Sequence, residues 1–327
     1  MIKDLKVYMS SRIIKANNVI LIPHNNPDFD AIGAAAGMTL VAKKFKKQSK
    51  IIVNDNLSMI DPGVKIIIDE LNRDSDLIID KNKYDKIKHE EDLFILADVN
   101  KRNLISVNDL LVNENNVVII DHHNEDENTV KSCYKFLNTK ISSASEIVTK
   151  LISMFKIRIP DNIANYLLAG IYLDTNKLTK NTSSDTFKTV SRLIDSGASI
   201  NRVTSFFTED FTSDRRVQNL VNRLDINHYT FGIIIADENE IVEAVELAKA
   251  ADYSLRYGID AVFAVGKISD DVISISARSK GMFNVGAVMS EMQGGGNEHS
   301  GATKINNSTV EEVGNKLKKL LKNPYYV

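Results

Sequence analysis

The chain reads as an α/β protein, with a mostly parallel sheet flanked by helices and a smaller second α/β domain. Three observations predict this. Val19-Ile20-Leu21-Ile22, Phe94-Ile95-Leu96-Ala97 and Val117-Val118-Ile119-Ile120 are short, wholly apolar runs, as expected of strands covered on both faces. Segments of helical period alternate with them, as βαβ units require. At 327 residues the chain exceeds one ordinary core, and its texture changes beyond Ser196.

Val19 to Pro23 is the first strand, and Ala31 to about Phe45 the helix after it, with Asp30 as its expected N-cap. Lys43-Lys44-Phe45-Lys46-Lys47 is a solvated helix end. Lys50 to Val53 follows as a strand, then the runs that end at Asp98 and Asp121. Ser143 to Phe155 and Ile163 to Leu173 have helical spacing, with Pro160 breaking between them. The tetrad Gly170-Ile171-Tyr172-Leu173 has strand character, so Asp174 is expected to close a fourth strand-like segment. Thr186 to Ile194 is a helix with Gly197 as its C-cap. The expected division is a domain over 1–195, a polar helical connector over 196–226 and a second domain over 227–327. Glu209, Asp210, Arg215 and Arg216 lie in the connector. Phe231 to Ala236 starts the second sheet, and Val242 to Ala251 is helical. Ala261–Ile268 and Val272–Ala277 pair around Ser269-Asp270-Asp271. A helix from Val285 to Met292 leads to Gly294-Gly295-Gly296, read as a helix-opening anion cradle.

Composition narrows the function. With 43% hydrophobic and 26% charged residues, the chain is an ordinary globular protein. Lys+Arg 41 against Asp+Glu 43 leaves a net charge of -2, without the basic excess that grips long nucleic acids. Cys133 is the only cysteine, which fits a reducing compartment. No apolar run approaches the roughly 18 residues of a membrane span. The N-terminus lacks the apolar core of a signal peptide, so a cytoplasmic location is expected. Arg215-Arg216 and His228 read as ordinary solvated residues, and Tyr325-Tyr326 as the end of a frayed tail.

The chemistry-bearing residues cluster at strand ends. His24, Asp28 and Asp30 follow the first strand, Asp98 the second run, Asp121-His122-His123 the third, and Asp174 the tetrad. In open α/β sheets ligands bind at that carboxyl edge. Carboxylates with imidazoles and no thiolate suit hard or borderline divalent cations such as manganese. Asp28 and Asp30 stand two apart and can serve different cations, while His24 and Asp28 share one. Two cations suit phosphoryl chemistry, because they activate water and neutralise charge on the leaving oxygen. A metal-free cluster of carboxylates repels itself, so the apo site should be less stable.

Two stretches make a resemblance specific. His24-Asn25-Asn26-Pro27-Asp28-Phe29-Asp30-Ala31-Ile32-Gly33 resembles the first motif of the DHH phosphoesterase superfamily, and Asp121-His122-His123 the motif that names it. Leu96-Ala97-Asp98 and Gly170-Ile171-Tyr172-Leu173-Asp174-Thr175 match the intervening and fourth motifs, covering residues of about 15–195. Ser274-Ile275-Ser276-Ala277-Arg278-Ser279-Lys280-Gly281 and Asn284-Val285-Gly286 resemble the DHHA1 module. Within this DHH–DHHA1 family, the chain is most similar to the catalytic part of bacterial cyclic-di-AMP phosphodiesterases. Asp28-Phe29-Asp30-Ala31-Ile32-Gly33-Ala34-Ala35, Ser142-Ser143-Ala144-Ser145-Glu146 and Ala302-Thr303-Lys304-Ile305 carry that likeness.

The resemblance implies manganese-dependent opening of cyclic-di-AMP to pApA, with AMP as a further product. It implies His24 and Asp28 on one manganese, Asp30, His122 and Asp174 on the other, and Asp98 bridging. Asp121 would orient a ligand histidine, and His123 would contact substrate phosphate. Arg278 and the backbone of Gly294, Gly295 and Gly296 would hold the nucleotide. One departure stands out: Gln293 occupies the first place of the family's four-glycine run and Asn297 that of its histidine. His299, two residues on, is the expected substitute. An oligoribonuclease or phosphoadenosine-phosphate phosphatase of the same architecture is the alternative. The partner implied is a small nucleotide, with neither long nucleic acid nor membrane, and homodimerisation is common among the lookalikes.

Overall fold

The computed structural model describes residues 2–54, 60–208, 211–227 and 231–322. Glu209, Asp210, His228, Tyr325 and Tyr326 lie outside them. The chain separates into two compact units, Met1–Thr208 and Glu209–Val327, so the division falls inside the segment 196–226.

The first unit runs α1 (Ile2–Lys15), β1 (Asn18–Ile22), α2 (Phe29–Lys44), β2 (Gln48–Ile52), α3 (Pro62–Ser75), β3 (Ile78–Ile79) and α4 (Lys81–Ile87). It continues through β4 (Leu93–Ala97), β5 (Val117–Asp121), β6 (Tyr134–Leu137), α5 (Ala144–Met154), α6 (Asp161–Asp174), α7 (Ser184–Asp195) and α8 (Ile200–Phe206). The strands form one parallel sheet in the order β3-β2-β1-β4-β5-β6. Every residue of β4 and β5 is buried, which explains their unbroken apolarity. Their side chains alternate between two cores. Leu21, Ile95, Val118 and Ile120 join α2, α5 and α6 on one face; Ile20, Ile22, Leu96 and Ile119 join Tyr84 and Ile105 on the other. Chain order reverses at β1, since β2 and β4 flank it, and this switch opens a crevice at the carboxyl edge.

Two elements differ from the sequence reading. Asp28, not Asp30, is the N-cap of α2: its Oδ1 accepts from the backbone N–H of Asp30 at 2.9 Å and of Ala31 at 3.0 Å. Asp30 falls inside the first turn, which frees its carboxylate for other partners. The tetrad 170–173 is the last turn of α6, not a strand, so Asp174 ends a helix. Gly170 accounts for this. A Cβ there would lie 2.4 Å from Ser145 Oγ and 2.6 Å from Asp30 Oδ1, so glycine is what lets α6 press against α2 and α5. Gly33 serves the same contact from α2, where a Cβ would lie 2.5 Å from the Tyr166 carbonyl oxygen. Close helix packing overrides the local strand preference of Ile171-Tyr172-Leu173.

The second unit contains α9 (Phe211–Val221), β7 (Leu224–Asn227), β8 (Phe231–Ile235), α10 (Ala244–Ser254), β9 (Ala261–Ser269) and β10 (Val272–Ser279). α11 (Val285–Glu291), β11 (Gly295–Gly296), β12 (Ser300–Asn306) and α12 (Val310–Leu321) complete it. Its sheet, β11-β12-β10-β9-β8-β7, is antiparallel apart from the β8–β9 pair. The end of the supposed connector, Leu224–Asn227, is therefore an edge strand and not helix. The glycine run does not open a helix. Gly295 and Gly296 pair with Ala302 and Gly301 as a short edge strand.

Candidate metal centre

The loops after β1, β4 and β5 and the end of α6 bring eight predicted residues together. His24, Asp28 and Asp98 form one group whose ligating atoms lie within 4.8 Å of one another. Asp30, His122 and Asp174 form a second, and Asp98, Asp121, His122 and His123 a third, on the same criterion. Asp98 links them: its Oδ1 is 3.4 Å from His122 Nε2 and 3.6 Å from His123 Nδ1. His122 Nε2 also lies 3.1 Å from Asp174 Oδ2 and 4.0 Å from Asp30 Oδ2.

Local structure fixes each candidate ligand. Asp98 has φ +59, a left-handed conformation that Asp and Asn tolerate best among residues with a Cβ. Its N–H still donates to the Ile120 carbonyl of β5 at 3.0 Å, while the positive φ redirects the chain after β4. Asp121 is fully buried, and its Oδ1 accepts from the backbone N–H of His122 and His123 and from His123 Nδ1 at 2.8 Å. Asp30, also fully buried, accepts from the α5 backbone: Ala144 N–H at 2.6 Å on Oδ2 and Ser145 N–H at 2.8 Å on Oδ1. Asp174 sits at a helix C-terminus, where a negative charge opposes the helix dipole. Such a placement serves a cation better than it serves stability.

Electrostatics agree with the geometry. Burial, with Asp174 nearby, pushes Asp30 up to about 8. Burial, with Asp30 nearby, raises Asp98 well above the usual carboxylate range. Burial alone would depress His122, but Asp174 and Asp98 overcome it and push the imidazole up to about 11. Burial would likewise raise Asp28 and Asp121, yet His24 holds the first, and His123 the second, below the usual range. Among the described residues, eight buried polar side-chain atoms make no well-formed hydrogen bond, and Asp98 Oδ1, Asp121 Oδ2, His122 Nε2 and Asp174 Oδ2 are half of them, three of these facing one another only at ion-pair distance. Buried orphans normally find a partner. Their concentration at one oxygen- and nitrogen-donor cluster is what divalent cations would satisfy; the residues fit such ions.

A cavity of about 400 Å³ adjoins the cluster, lined by His24, Asp28, Asp98, Asn100, Lys101 and His123 among others. Sequence reading passed over Asn100, which is buried and whose Nδ2 approaches the His123 and Asn124 carbonyls at 3.5 and 3.4 Å. An asparagine two residues after a candidate ligand has no sequence signal that marks it.

The remaining predicted residues belong to the second unit. Arg278 lies on β10 with its Nε donating to Asp252 Oδ2 at 3.0 Å. Gly294 packs so closely that a Cβ would meet the Ala302 carbonyl oxygen at 2.2 Å, and Gly296 has φ +153. Gln293, despite its side chain, keeps the left-handed φ of +65 at the start of the run. His299 is exposed, with its ring over Gly281 and its N–H donating to Asn297 Oδ1 at 2.8 Å.

The metal-free site has a testable consequence. Asp30 and His122 hold protons in the fold at pH values where the unfolded chain, with values of 3.8 and 6.5, has released them. The folded state therefore binds more protons, and stability falls as pH rises. The Asp30 contribution is complete below about pH 4 and gone above about 8; that of His122 fades from about 6.5 to about 11. Melting temperature in chelator should drop steadily between about pH 5.5 and 9, and saturating divalent cation should flatten the slope. An apo melting temperature that rises over this range would contradict the electrostatics above.

Fold and site together define a carboxylate–histidine cluster, a candidate metal centre, at the switch point of a parallel sheet. The DHH family model, N-terminal domain, matches residues 18–171, and the DHHA1 domain model matches 214–323. The chain belongs to the DHH family of phosphoesterases, with the DHHA1 domain following. It is 30% identical over 316 residues to the cyclic-di-AMP phosphodiesterase GdpP of Geobacillus thermodenitrificans, covering 94% of this chain and 48% of that protein. It is 27% identical to the bifunctional oligoribonuclease and PAP phosphatase NrnA of Mycoplasma genitalium, over 91% of this chain and 92% of the other. An exopolyphosphatase-related protein from Bacteroides fragilis shares the fold, with TM-score 0.76, 20% identity and coverage of 98% and 96%. The chain thus spans about half the length of the GdpP relatives it matches, at 48% of each. Among the described residues no helix is long and apolar enough to cross a membrane.

Proposed function

We propose that the chain is a metal-dependent phosphodiesterase that opens cyclic-di-AMP to linear pApA and carries it on to AMP. The observation that supports this most is Asp98, a buried carboxylate that is grouped with His24 and Asp28 and whose Oδ1, lacking a well-formed hydrogen bond, stands 3.4 Å from His122. His24, Asp28 and Asp98 would hold one divalent cation, Asp30, His122 and Asp174 the other, with Asp98 shared. Manganese is the first candidate for this donor set. When bound, such cations supply Lewis acidity and lower the pKa of an attacking water.

The protein's own groups do the positioning. Asp121 engages His123 Nδ1, which leaves Nε2 of this half-exposed ring to meet a substrate phosphate. Asp121 also holds the backbone N–H of His122, fixing the ring that faces Asp98 and Asp174. In the second unit, Arg278, the backbone of Gly294, Gly295 and Gly296, and His299 would hold the nucleotide, with a phosphate displacing Asp252 from Arg278.

The similarity to NrnA, which extends over nearly the whole of both chains, supports a second reading: an oligoribonuclease and PAP phosphatase. One panel separates the two. Purified protein with manganese is given cyclic-di-AMP, pApA, short RNA and phosphoadenosine phosphate, and products are resolved by chromatography. Conversion of the cyclic dinucleotide at a rate at least comparable with the others supports the leading reading. Conversion of the linear substrates alone establishes the second and ends the first.

A further inference from the structure

Asp30 depends on a partner that lies 114 residues away in sequence. Its carboxylate plane is clamped by the first two amides of α5, both otherwise free donors at a helix start. Whatever fixes that turn of α5 fixes Asp30. Ser143 caps it, accepting from the Glu146 N–H at 3.0 Å. The Glu146 carboxylate then folds back beyond the cap, taking the Ser142 hydroxyl and, at 3.4 Å, the Ser142 N–H.

Glu146 reaches a second ligand segment as well. Its Oε2 accepts from Thr186 Oγ1 at 3.0 Å, and Lys150 Nζ pairs with Oε1. Thr186 belongs to the capping box that starts α7 with Ser183. Between Asp174 and Ser183 the chain takes positive φ at Asn176, Lys177, Leu178 and Asn181, so its path is confined and its far end is the anchored Thr186. Glu146 is 1% exposed. Burying a carboxylate this deeply is a poor route to stability alone, since an apolar replacement of similar shape usually does as well.

We propose that Glu146 is a positioning residue of the metal centre, holding the α5 turn that clamps Asp30 and the α7 start that anchors the segment after Asp174. The proposal rests on the metal-centre reading above. By analogy with residues that orient metal ligands, its loss should weaken cation binding about 10–100-fold.

The test is manganese titration, followed by calorimetry and by the electron paramagnetic resonance of the bound ion, on the full chain. Glu146→Gln keeps the shape and removes the charge; Thr186→Val removes one donor and serves if the first variant does not fold. The expected result is a dissociation constant for one of the two cations raised about tenfold or more, with an altered manganese signal. Glu146→Asp, which keeps the carboxylate on a shorter stem, should recover part of the affinity. A lowered melting temperature with manganese affinity and signal unchanged would mean a structural role only, and overturns the proposal. A wild-type chain that binds no divalent cation overturns the metal reading and this proposal together.

Discussion

Replacing Asp98 with Asn should abolish turnover while leaving the protein folded. Asn tolerates the left-handed φ of +59 nearly as well as Asp, so the backbone turn out of β4 survives. What is lost is the carboxylate that stands among His24, Asp28, His122 and His123. Removing an anionic ligand shared between cations forfeits about 4 kcal/mol of transition-state stabilisation, or roughly a thousandfold in rate. Asp98→Ala should lose the same activity and, in addition, about 1 kcal/mol of stability, because Ala pays a steric penalty in this conformation. Steady-state kinetics with manganese, alongside thermal melts of both variants, check this. Near-normal turnover in Asp98→Asn would remove Asp98 from the centre.

Gly170→Val should be severely damaging although it leaves every charge in place. A side chain at 170 would collide with Ser145 Oγ at 2.4 Å, Asp30 Oδ1 at 2.6 Å and Asp30 Cα at 2.8 Å. The α2, α5 and α6 contact must open, at about 3 kcal/mol or more of stability. Opening it also draws Asp30 from the α5 amides and Asp174 from His122, so cation affinity should fall even in the surviving folded fraction. Gly170→Ala should show the same pattern more mildly. A Gly170→Val protein that melts within a degree or two of wild type and binds manganese normally would refute the packing argument.

That these side chains would gather at the strand ends was legible for a physical reason. β1, β4 and β5 are covered on both faces, so their sequences are unbroken apolar runs and the first polar residue marks the carboxyl edge. His24, Asp28, Asp98 and Asp121 through His123 could be read this way. Asp174 could be named but not placed, because Gly170-Ile171-Tyr172-Leu173 has the local preferences of a strand and its helix is imposed by tertiary packing. Asp30, a candidate ligand, also reads as a cap in the sequence because its partners, Ala144 and Ser145, leave no trace near it. The same holds for Asn100 and for the Glu146 contacts, which are made by hydrogen bonds across the fold. In the second unit the glycine run reads as a cradle by composition, but pairing with β12 makes it a sheet edge.

The strand order β3-β2-β1-β4-β5-β6 has a kinetic consequence. Asp28 and Asp174 come from opposite ends of the first unit's chain, and the parallel ladder that separates them is made of non-local pairings, which are slow to assemble. On the proposed ligand set a cation would need both ends of that ladder in place, so saturating manganese should act as a latch, slowing unfolding while leaving the folding rate unchanged.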